Sequence, residues 1–269
     1  MIKVLKNIGW FSLYLLLGLF ALFPLLWGLK LSFTPRFDYN LIPQSLTLAN
    51  YSKIITNHVI TKFFFNSIKV CFGSIIIVVP ISLLAAYGIS RYNFKGKGLL
   101  KMCLLIFPML PSSALLVPLV RYFNKLGLYN TIFGVILGTS VFSLSLTTWM
   151  FINFIDNTQK TIEEAALIDG LNPYQTLFRI TLPMIKPGLI CIIVYIFIGS
   201  WNGYTLSYAL TTSPDSRVLA QAILSFLGAW GTDWGGLTAM SIIMLIPPIV
   251  FFLFFQKSFI AGMFGENLK

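Results

Sequence analysis

Residues 156–186 form a charged stretch between two long uncharged ones, and this arrangement leaves very few folds open to the chain. Seven charged side chains fall within these 31 residues, whereas residues 126–155 before them and 187–214 after them carry none. Each charge at the centre of a bilayer costs about 2.5–3.5 kcal/mol, so seven would cost on the order of 20 kcal/mol. The charged stretch is therefore expected in water, between two segments that are apolar enough to lie in lipid.

The charged stretch contains the start and stop signals of two short helices joined by a hinge. Thr161 and Glu164 have the spacing of a capping box, which predicts a helix that begins at this point. Gly170 predicts a left-handed stop for that helix. Asn172-Pro173 predicts the restart, with asparagine as the N-cap and proline in the first turn.

Two other interpretations of this helix pair are less favourable. A helix–turn–helix that reads DNA would not carry so many acidic side chains on a surface that must approach phosphates. An ordinary polar connector would need neither a capped helix nor a hinge. We therefore favour an element that docks on another protein.

The same stretch resembles a known signature. EEAALIDG at residues 163–170 and RITLPMIKPGL at residues 179–189 are similar to the cytoplasmic coupling loop in the membrane subunits of binding-protein-dependent ABC importers, most of all the maltose-type carbohydrate-uptake subfamily. The resemblance runs through most of the chain, and it implies that the first short helix docks in a cleft of a cytoplasmic ATPase. The coupling residues that it implies are Glu163, Glu164, Ala165, Ala166, Asp169, Gly170, Leu182 and Pro183.

Composition leads to a membrane protein independently of the resemblance. Charged residues make up 10% of the 269 residues and hydrophobic ones 57%, against about 25% charged residues in soluble domains. We therefore predict one polytopic membrane domain over residues 1–269, and the resemblance implies that it is a transmembrane permease domain. The net charge of +11 fits basic cytoplasmic loops beside anionic lipids.

An all-α fold with six membrane spans follows from the lengths of the uncharged runs, because a hydrocarbon core of ~30 Å needs about 20 apolar residues per helix. The predicted spans are residues 7–29, 70–90, 102–120, a segment within 126–155, a segment of the run that follows Lys186, and residues 234–256. We expect prolines to kink the third span and residues 30–69 to form a mixed polar loop. Residues 218–232 are too short to cross, so we expect a helix at the outer interface, within an outer loop of about residues 211–235.

Orientation follows from the distribution of basic residues. Cytoplasmic termini place 11 of the 19 lysines and arginines on the cytoplasmic side, as the positive-inside rule requires. A coupling loop of about residues 156–186, between spans four and five, is then cytoplasmic as well.

The energy for transport must come from another chain. None of the predicted spans contains Asp, Glu, Lys, Arg or His, which argues against a proton-coupled carrier. The chain also lacks a G-x-x-x-x-G-K-[ST] motif, so it cannot hydrolyse ATP itself. We predict no catalytic residue, no metal site and no cofactor on this chain.

The resemblance supplies the expected partners. They are a homologous second permease, two cytoplasmic ATPase subunits that bind ATP and magnesium, and an extracellular or periplasmic solute-binding protein. The implied solute is a sugar or oligosaccharide. A phosphorylated polyol such as glycerol phosphate, and a secondary carrier instead of an ABC importer, remain alternatives.

Polar residues within the apolar runs mark a candidate substrate pathway. Aromatic rings beside hydroxyls and amides suit sugars, although small polar residues also serve contacts between membrane helices. The candidates are Ser143, Thr147, Trp201, Asn202 and Tyr204.

Two further segments resemble the subfamily. WNGY at residues 201–204 is similar to a W-N-E-[FY] stretch, with glycine in place of the acid. GTDWG at residues 231–235 is similar to an outer loop that contacts the solute-binding protein. The implied contact residues are Thr232, Asp233 and Trp234.

Overall fold

The computed structural model describes residues 2–228 and 231–264, and this part of the chain is mostly helical. The helices of the first half are α1 (Ile2–Ser32), α2 (Ala49–Ile55), α3 (His58–Arg91), α4 (Lys97–Ile106) and α5 (Ser112–Lys125). Those of the second half are α6 (Ile132–Asp156), α7 (Lys160–Ile168), α8 (Pro173–Thr176), α9 (Leu182–Met184), α10 (Lys186–Trp201), α11 (Tyr204–Leu210) and α12 (Trp234–Phe264).

Four helices are long and apolar enough to cross a membrane, and two bent pairs raise the number to six if each pair is one span. The four are Leu13–Ser32, His58–Arg91, Ile132–Asp156 and Trp234–Lys257. The bent pairs are Lys97–Met109 with Ser112–Lys125, at 97°, and Pro173–Met184 with Lys186–Trp201, at 83°. The described part of the chain thus has four to six candidate spans.

Helix α3 begins earlier than the sequence predicts. The expected polar loop over residues 30–69 was wrong in its second half, because α2 and the first twelve residues of α3 lie there. The polar side chains in this part of α3 have partners in the segment before residue 218. Lys62 pairs with Asp215, and the Asn66 amide donates to the carbonyls of Asp215 and Arg217, each at 2.9 Å. These contacts let the helix continue beyond its uncharged run.

The bend between α4 and α5 lies at a proline, as predicted. A short 3₁₀ turn at Phe107–Met109 ends α4, and Leu110 then adopts an extended backbone with φ −68° and ψ 135°. Proline disfavours helical geometry in the residue before it, and Pro111 follows Leu110 directly. The chain therefore turns by 97° at this break.

Residues 218–232 do not form the expected α-helix. Leu219–Phe226 is a 3₁₀ helix, and β1 (Leu227–Gly228) pairs antiparallel with β2 (Gly231–Thr232). Residues 229 and 230 lie outside the described part. Within the described residues the fold is mostly helical, as predicted, and this short antiparallel pair is a local departure from an all-α fold.

The chain divides into two compact units. One comprises Met1–Thr61 and Ala222–Ile246, and in it the Asn50 amide donates to the carbonyls of Ser32 and Thr34 at 3.0 and 2.9 Å. The other comprises Lys62–Gln221 and Pro247–Lys269. Its hydrophobic core joins α3, α6, the segment after α8 and α10, through Val78, Leu83, Ala86, Tyr87, Ile89, Phe151, Ile152, Ile155, Leu177, Ile185, Ile192 and Ile196.

Candidate functional site

The first short helix begins two residues earlier than predicted and has a different cap. Helix α7 starts at Lys160, and its N-cap, Gln159, makes no side-chain capping bond. The capping box of Thr161 with Glu164 was therefore wrong. Glu164 instead pairs with Lys160, one turn earlier on the same helix, at 3.0 Å.

The hinge between the two short helices is confirmed. Gly170 has φ +92°, a conformation that side chains resist. The Leu171 amide donates to the Ala166 carbonyl and the Gly170 amide to the Leu167 carbonyl, each at 3.1 Å. This pair of bonds is a Schellman motif, which satisfies the last carbonyls of a helix.

The restart is confirmed as well. The Asn172 side chain accepts from the backbone amide of Gln175 at 2.9 Å, and the Gln175 side chain accepts from the amide of Asn172 at 2.9 Å. These reciprocal bonds are a capping box, so α8 begins at Pro173 as the sequence predicts.

Glu163 lies in a buried ion pair that no sequence spacing indicates. Its two carboxylate oxygens accept from Nε and Nη2 of Arg91, at 2.7 and 2.6 Å. The side chains are 11% exposed for Arg91 and 3% for Glu163. Nη2 also donates to the Ile155 carbonyl at 2.9 Å and to the Thr158 hydroxyl at 2.7 Å. We call this group of contacts the Arg91 clamp.

Three helix ends meet at the Arg91 clamp. Arg91 is the last residue of α3, Ile155 lies in the last turn of α6, and Glu163 lies in the first turn of α7. A cation is favourable at the C-terminus of a helix and an anion at the N-terminus. The guanidinium therefore complements two helix C-termini and the acid at the start of the third helix.

The remaining residues of the implied coupling set occupy two environments. Ala166 is buried, and Leu182 is half-buried and packs against the core. Glu164, Ala165, Asp169, Gly170 and Pro183 are exposed. The structure thus separates adjacent acids, because Glu163 faces inward and Glu164 faces outward.

An apolar surface surrounds the hinge. Isoleucine and aromatic side chains are prominent in it, with Ile168 86% and Tyr174 71% exposed. We define the apolar rim as Ile162, Leu167, Ile168, Tyr174 and Phe178. Clustered exposed hydrophobic side chains mark interaction sites, and these lie on α7, on α8 and in the turn that follows α8.

A groove runs between the end of α3 and the second short helix. Its cavity measures about 290 Å³ and is lined by Leu84, Tyr87, Gly88, Tyr92, Pro173, Tyr174 and Leu177. After Thr176 the chain forms a π-turn at Leu177–Thr181 before α9. A proline ring clashes with the carbonyl four residues earlier in a regular α-helix, and for Pro183 that carbonyl belongs to Arg179, within the wider turn.

The hydroxyls of α6 make bonds to backbone. Ser143 donates to the Thr139 carbonyl at 2.9 Å, and Thr147 donates to the Ser143 carbonyl at 2.8 Å. Ser145 donates across to the Leu104 carbonyl of α4 at 3.1 Å. Thr147 is fully buried, whereas Ser143 is half-buried. These bonds favour a packing role for the α6 hydroxyls.

The pathway candidates at residues 201–204 differ in their exposure to solvent. Trp201 is 1% exposed and stacks on Phe197 with ring centroids 5.9 Å apart. Asn202 is exposed, between the end of α10 and the start of α11. Tyr204 stacks on the exposed Tyr208 at 5.5 Å. The sequence analysis missed Tyr208, although a tyrosine four residues after another on a helix lies on the same face.

The predicted contact residues near residue 233 have local partners. Thr232 pairs with Leu227 in the short sheet. Asp233 accepts from the Gly236 amide at 2.9 Å and from Lys53 Nζ at 3.0 Å, and the amide bond is the main cause that lowers the pKa of Asp233. Trp234 is 45% exposed and its ring lies 5.5 Å from that of Phe37. These residues cap and pack the start of α12 while leaving part of the indole accessible.

Comparison with known proteins gives consistent matches over most of the chain. Residues 78–265 match the family described as binding-protein-dependent transport system inner membrane component. The trehalose transport permease SugB of Mycobacterium tuberculosis is 33% identical, covering 93% of each chain. The trehalose/maltose permease MalG of Thermococcus litoralis is 31% identical, covering 99% of this chain and 98% of that one.

The fold has a solved counterpart. A bacterial ABC transporter involved in the import of the acidic polysaccharide alginate has a chain that matches with a TM-score of 0.78 at 21% identity, over 95% of this chain and 96% of that chain. Together with the apolar candidate spans and the family match, this shows a multi-pass membrane protein. The chain therefore belongs to the family of inner membrane components of binding-protein-dependent transport systems, the permease subunits of ABC importers.

Proposed function

We propose that this permease forms half of the translocation pathway of a sugar importer and receives the energy of ATP hydrolysis through α7. The observation that carries this proposal is the contrast between the two acids of the helix. Glu163 is anchored inward, whereas Glu164 and the apolar rim face outward on either side of a hinge. An anchored helix with an exposed apolar and acidic surface can bind a partner and transmit force from it.

In the proposed arrangement the whole chain is one transmembrane permease domain with six spans. The bent pair of Lys97–Met109 with Ser112–Lys125 contributes span three, and Lys186–Trp201, which follows the coupling loop, contributes span five. Both termini lie in the cytoplasm, with the coupling loop of about residues 156–186 between spans four and five. The outer loop of about residues 211–235 faces the opposite side. The excess of basic residues on the cytoplasmic side under this arrangement supports it.

The proposed assembly contains a homologous second permease, two ATPase subunits and an external solute-binding protein. ATP and magnesium bind to the ATPase subunits. Helix α7 and the apolar rim dock on one ATPase, with Glu164 opposite a basic group of that subunit. Thr232, Asp233 and Trp234 are proposed to contact the solute-binding protein, mainly through the exposed part of Trp234.

The proposed solute is a sugar or small oligosaccharide. Relatives named for trehalose, trehalose/maltose and diacetylchitobiose transport support this class. Within the chain, the exposed Asn202 shortly precedes Tyr204, whose ring stacks on that of the exposed Tyr208. Such a surface suits a sugar, since rings contact its C–H faces and the amide bonds its hydroxyls.

The test uses the intact importer, purified from native membranes by a tag on this chain and reconstituted into liposomes. Uptake and ATP hydrolysis are measured with the solute-binding protein and trehalose, maltose, diacetylchitobiose or glycerol phosphate. We expect ATP-dependent uptake of at least one sugar, with hydrolysis stimulated by the loaded binding protein. Uptake of glycerol phosphate alone would replace the sugar by a phosphorylated polyol. Uptake that survives without ATP and collapses with the ion gradient would make the chain a secondary carrier.

A further inference from the structure

We propose that Arg91 is the positioning residue of the coupling helix. In this inference, which rests on the proposed docking of α7, the guanidinium joins the start of α7 to the ends of α3 and α6. A displacement of α7 by the ATPase then moves these two helix ends with it. Glu163 serves this linkage and does not contact the ATPase.

The geometry of the clamp supports a mechanical linkage. Arg91 uses Nε and Nη2 on the two oxygens of Glu163, which fixes the carboxylate in the plane of the guanidinium. A bidentate pair of this kind defines an orientation as well as a distance. The contacts of Nη2 with the Ile155 carbonyl and the Thr158 hydroxyl add the end of α6 to the same group.

Burial distinguishes this ion pair from others nearby. The side chains of Lys101 and Asp156, which join α4 to the end of α6 at 3.1 Å, are 34% and 42% exposed. Those of Lys160 and Glu164 are 63% and 53% exposed. Exposed ion pairs exchange with water and contribute little, whereas the Arg91 clamp lies largely out of solvent and holds its geometry.

The chemistry of the clamp requires arginine. A lysine ammonium is a compact charge without the planar fork that engages both oxygens of a carboxylate. Arg91→Lys therefore keeps the charge and loses the orientation. Replacement of both partners by apolar residues of similar size often preserves folding, because no buried charge is left unpaired.

The experiment measures solute transported per ATP hydrolysed in the reconstituted importer, together with the affinity of the membrane part for its ATPase. The variants are Arg91→Lys, Glu163→Gln and the apolar pair Arg91→Met/Glu163→Leu. The matched control is Lys101→Met/Asp156→Leu, which removes the exposed ion pair at the same end of α6. Folding is checked by the amount of each variant in the membrane and by size-exclusion chromatography.

We expect the apolar pair to lower the transport per ATP at least fivefold and Arg91→Lys at least threefold, with ATPase affinity within twofold of wild type. The control pair should retain the wild-type ratio. A wild-type amount of solute transported per ATP in the apolar pair overturns the proposal. If that variant does not accumulate in the membrane, a wild-type amount in Arg91→Lys overturns it instead. Equal losses of affinity and transport in Glu163→Gln would instead make Glu163 a docking contact. Wild-type ATPase affinity after replacement of the exposed Glu164, Ile168 and Tyr174 by alanine would refute the docking proposal itself.

Discussion

The ring of Phe154 occupies the space beside Gly188, so that a Cβ built at residue 188 would lie 2.5 Å from Cγ of the phenylalanine. The two residues belong to α6 and α10, whose side chains Ile152 and Ile192 are fully buried in the same core. Cγ lies next to the backbone and cannot swing away as the end of a long side chain can. The absence of a side chain at residue 188 therefore sets how closely these two helices pack.

Gly188→Ala should destabilise the protein because the new methyl group overlaps the ring of Phe154. Overpacking of this kind costs about 1–3 kcal/mol, which should appear as a lower thermal unfolding midpoint in detergent. Gly199→Ala in the same helix is the matched control, since a Cβ there meets nothing within 4 Å. Its midpoint should be unchanged or higher, and equal effects of the two substitutions would contradict this account.

Gly170→Val should impair transport through the backbone and not through a clash. No atom lies within 4 Å of a Cβ at residue 170, but its φ of +92° strains any β-branched side chain. The left-handed conformation costs about 1–2 kcal/mol for ordinary residues and less for asparagine. Uptake in reconstituted importer should therefore fall strongly in Gly170→Val and much less in Gly170→Asn. Normal uptake by the valine variant would show that the hinge is dispensable.

Glu164→Gln should weaken binding of the ATPase about tenfold or more while leaving the stability of the chain nearly unchanged. Its intrahelical pair with Lys160 is exposed, and such pairs contribute about 0.3–0.5 kcal/mol. Removal of one partner from a buried charge pair at an interface costs about 2–5 kcal/mol of binding free energy, because the other charge is left unpaired. Affinity for the purified ATPase and the unfolding midpoint separate the two effects. Lys160→Met and Thr161→Ala are the controls, and larger losses in them than in Glu164→Gln would place Glu164 outside the interface.

Tyr208→Ala should raise the KM for the sugar, because it removes the exposed ring of the stacked pair in α11. Thr147→Val, at a fully buried position whose hydroxyl bonds to its own helix, should leave the KM unchanged. Uptake kinetics of the two variants with the same sugar test this contrast. A raised KM in Thr147→Val alone would indicate that the substrate pathway lies along α6.

The start of α12 should lose stability in acid through Asp233. Its pKa is lowered in the folded protein from an ordinary value of 3.8, first by the Gly236 amide and then by Lys53, against desolvation, which raises it. The carboxylate therefore stabilises the fold at a pH above the ordinary pKa. This contribution is lost as the pH falls through the lower pKa of the folded state. The effect should be small, because the side chain is 41% exposed. Asp233→Asn, which keeps a capping group, should flatten the pH dependence of the unfolding midpoint below pH 4, whereas an unaltered profile would assign it to other groups.

The sequence by itself determined the features that depend on local chemistry. Uncharged runs identify segments that prefer lipid, because transfer of each charge is costly whatever the neighbours are. Gly170 and Asn172 fix the hinge and the restart through backbone preferences and bonds within a few residues. The hinge and the restart were confirmed in the structure, the uncharged runs correspond to four to six candidate spans among the described residues, and the motif that contains the hinge indicated the family.

Only the tertiary structure decided how the polar residues are shared between helices. Glu163 and Glu164 are chemically identical, and the one that is buried is the one whose partner, Arg91, lies 72 residues away. The early start of α3 likewise depends on Asn66 and its partners near residue 215, 149 residues distant. Such contacts depend on how the helices pack, since burial of a charge is favourable only where a partner of the right geometry is in place.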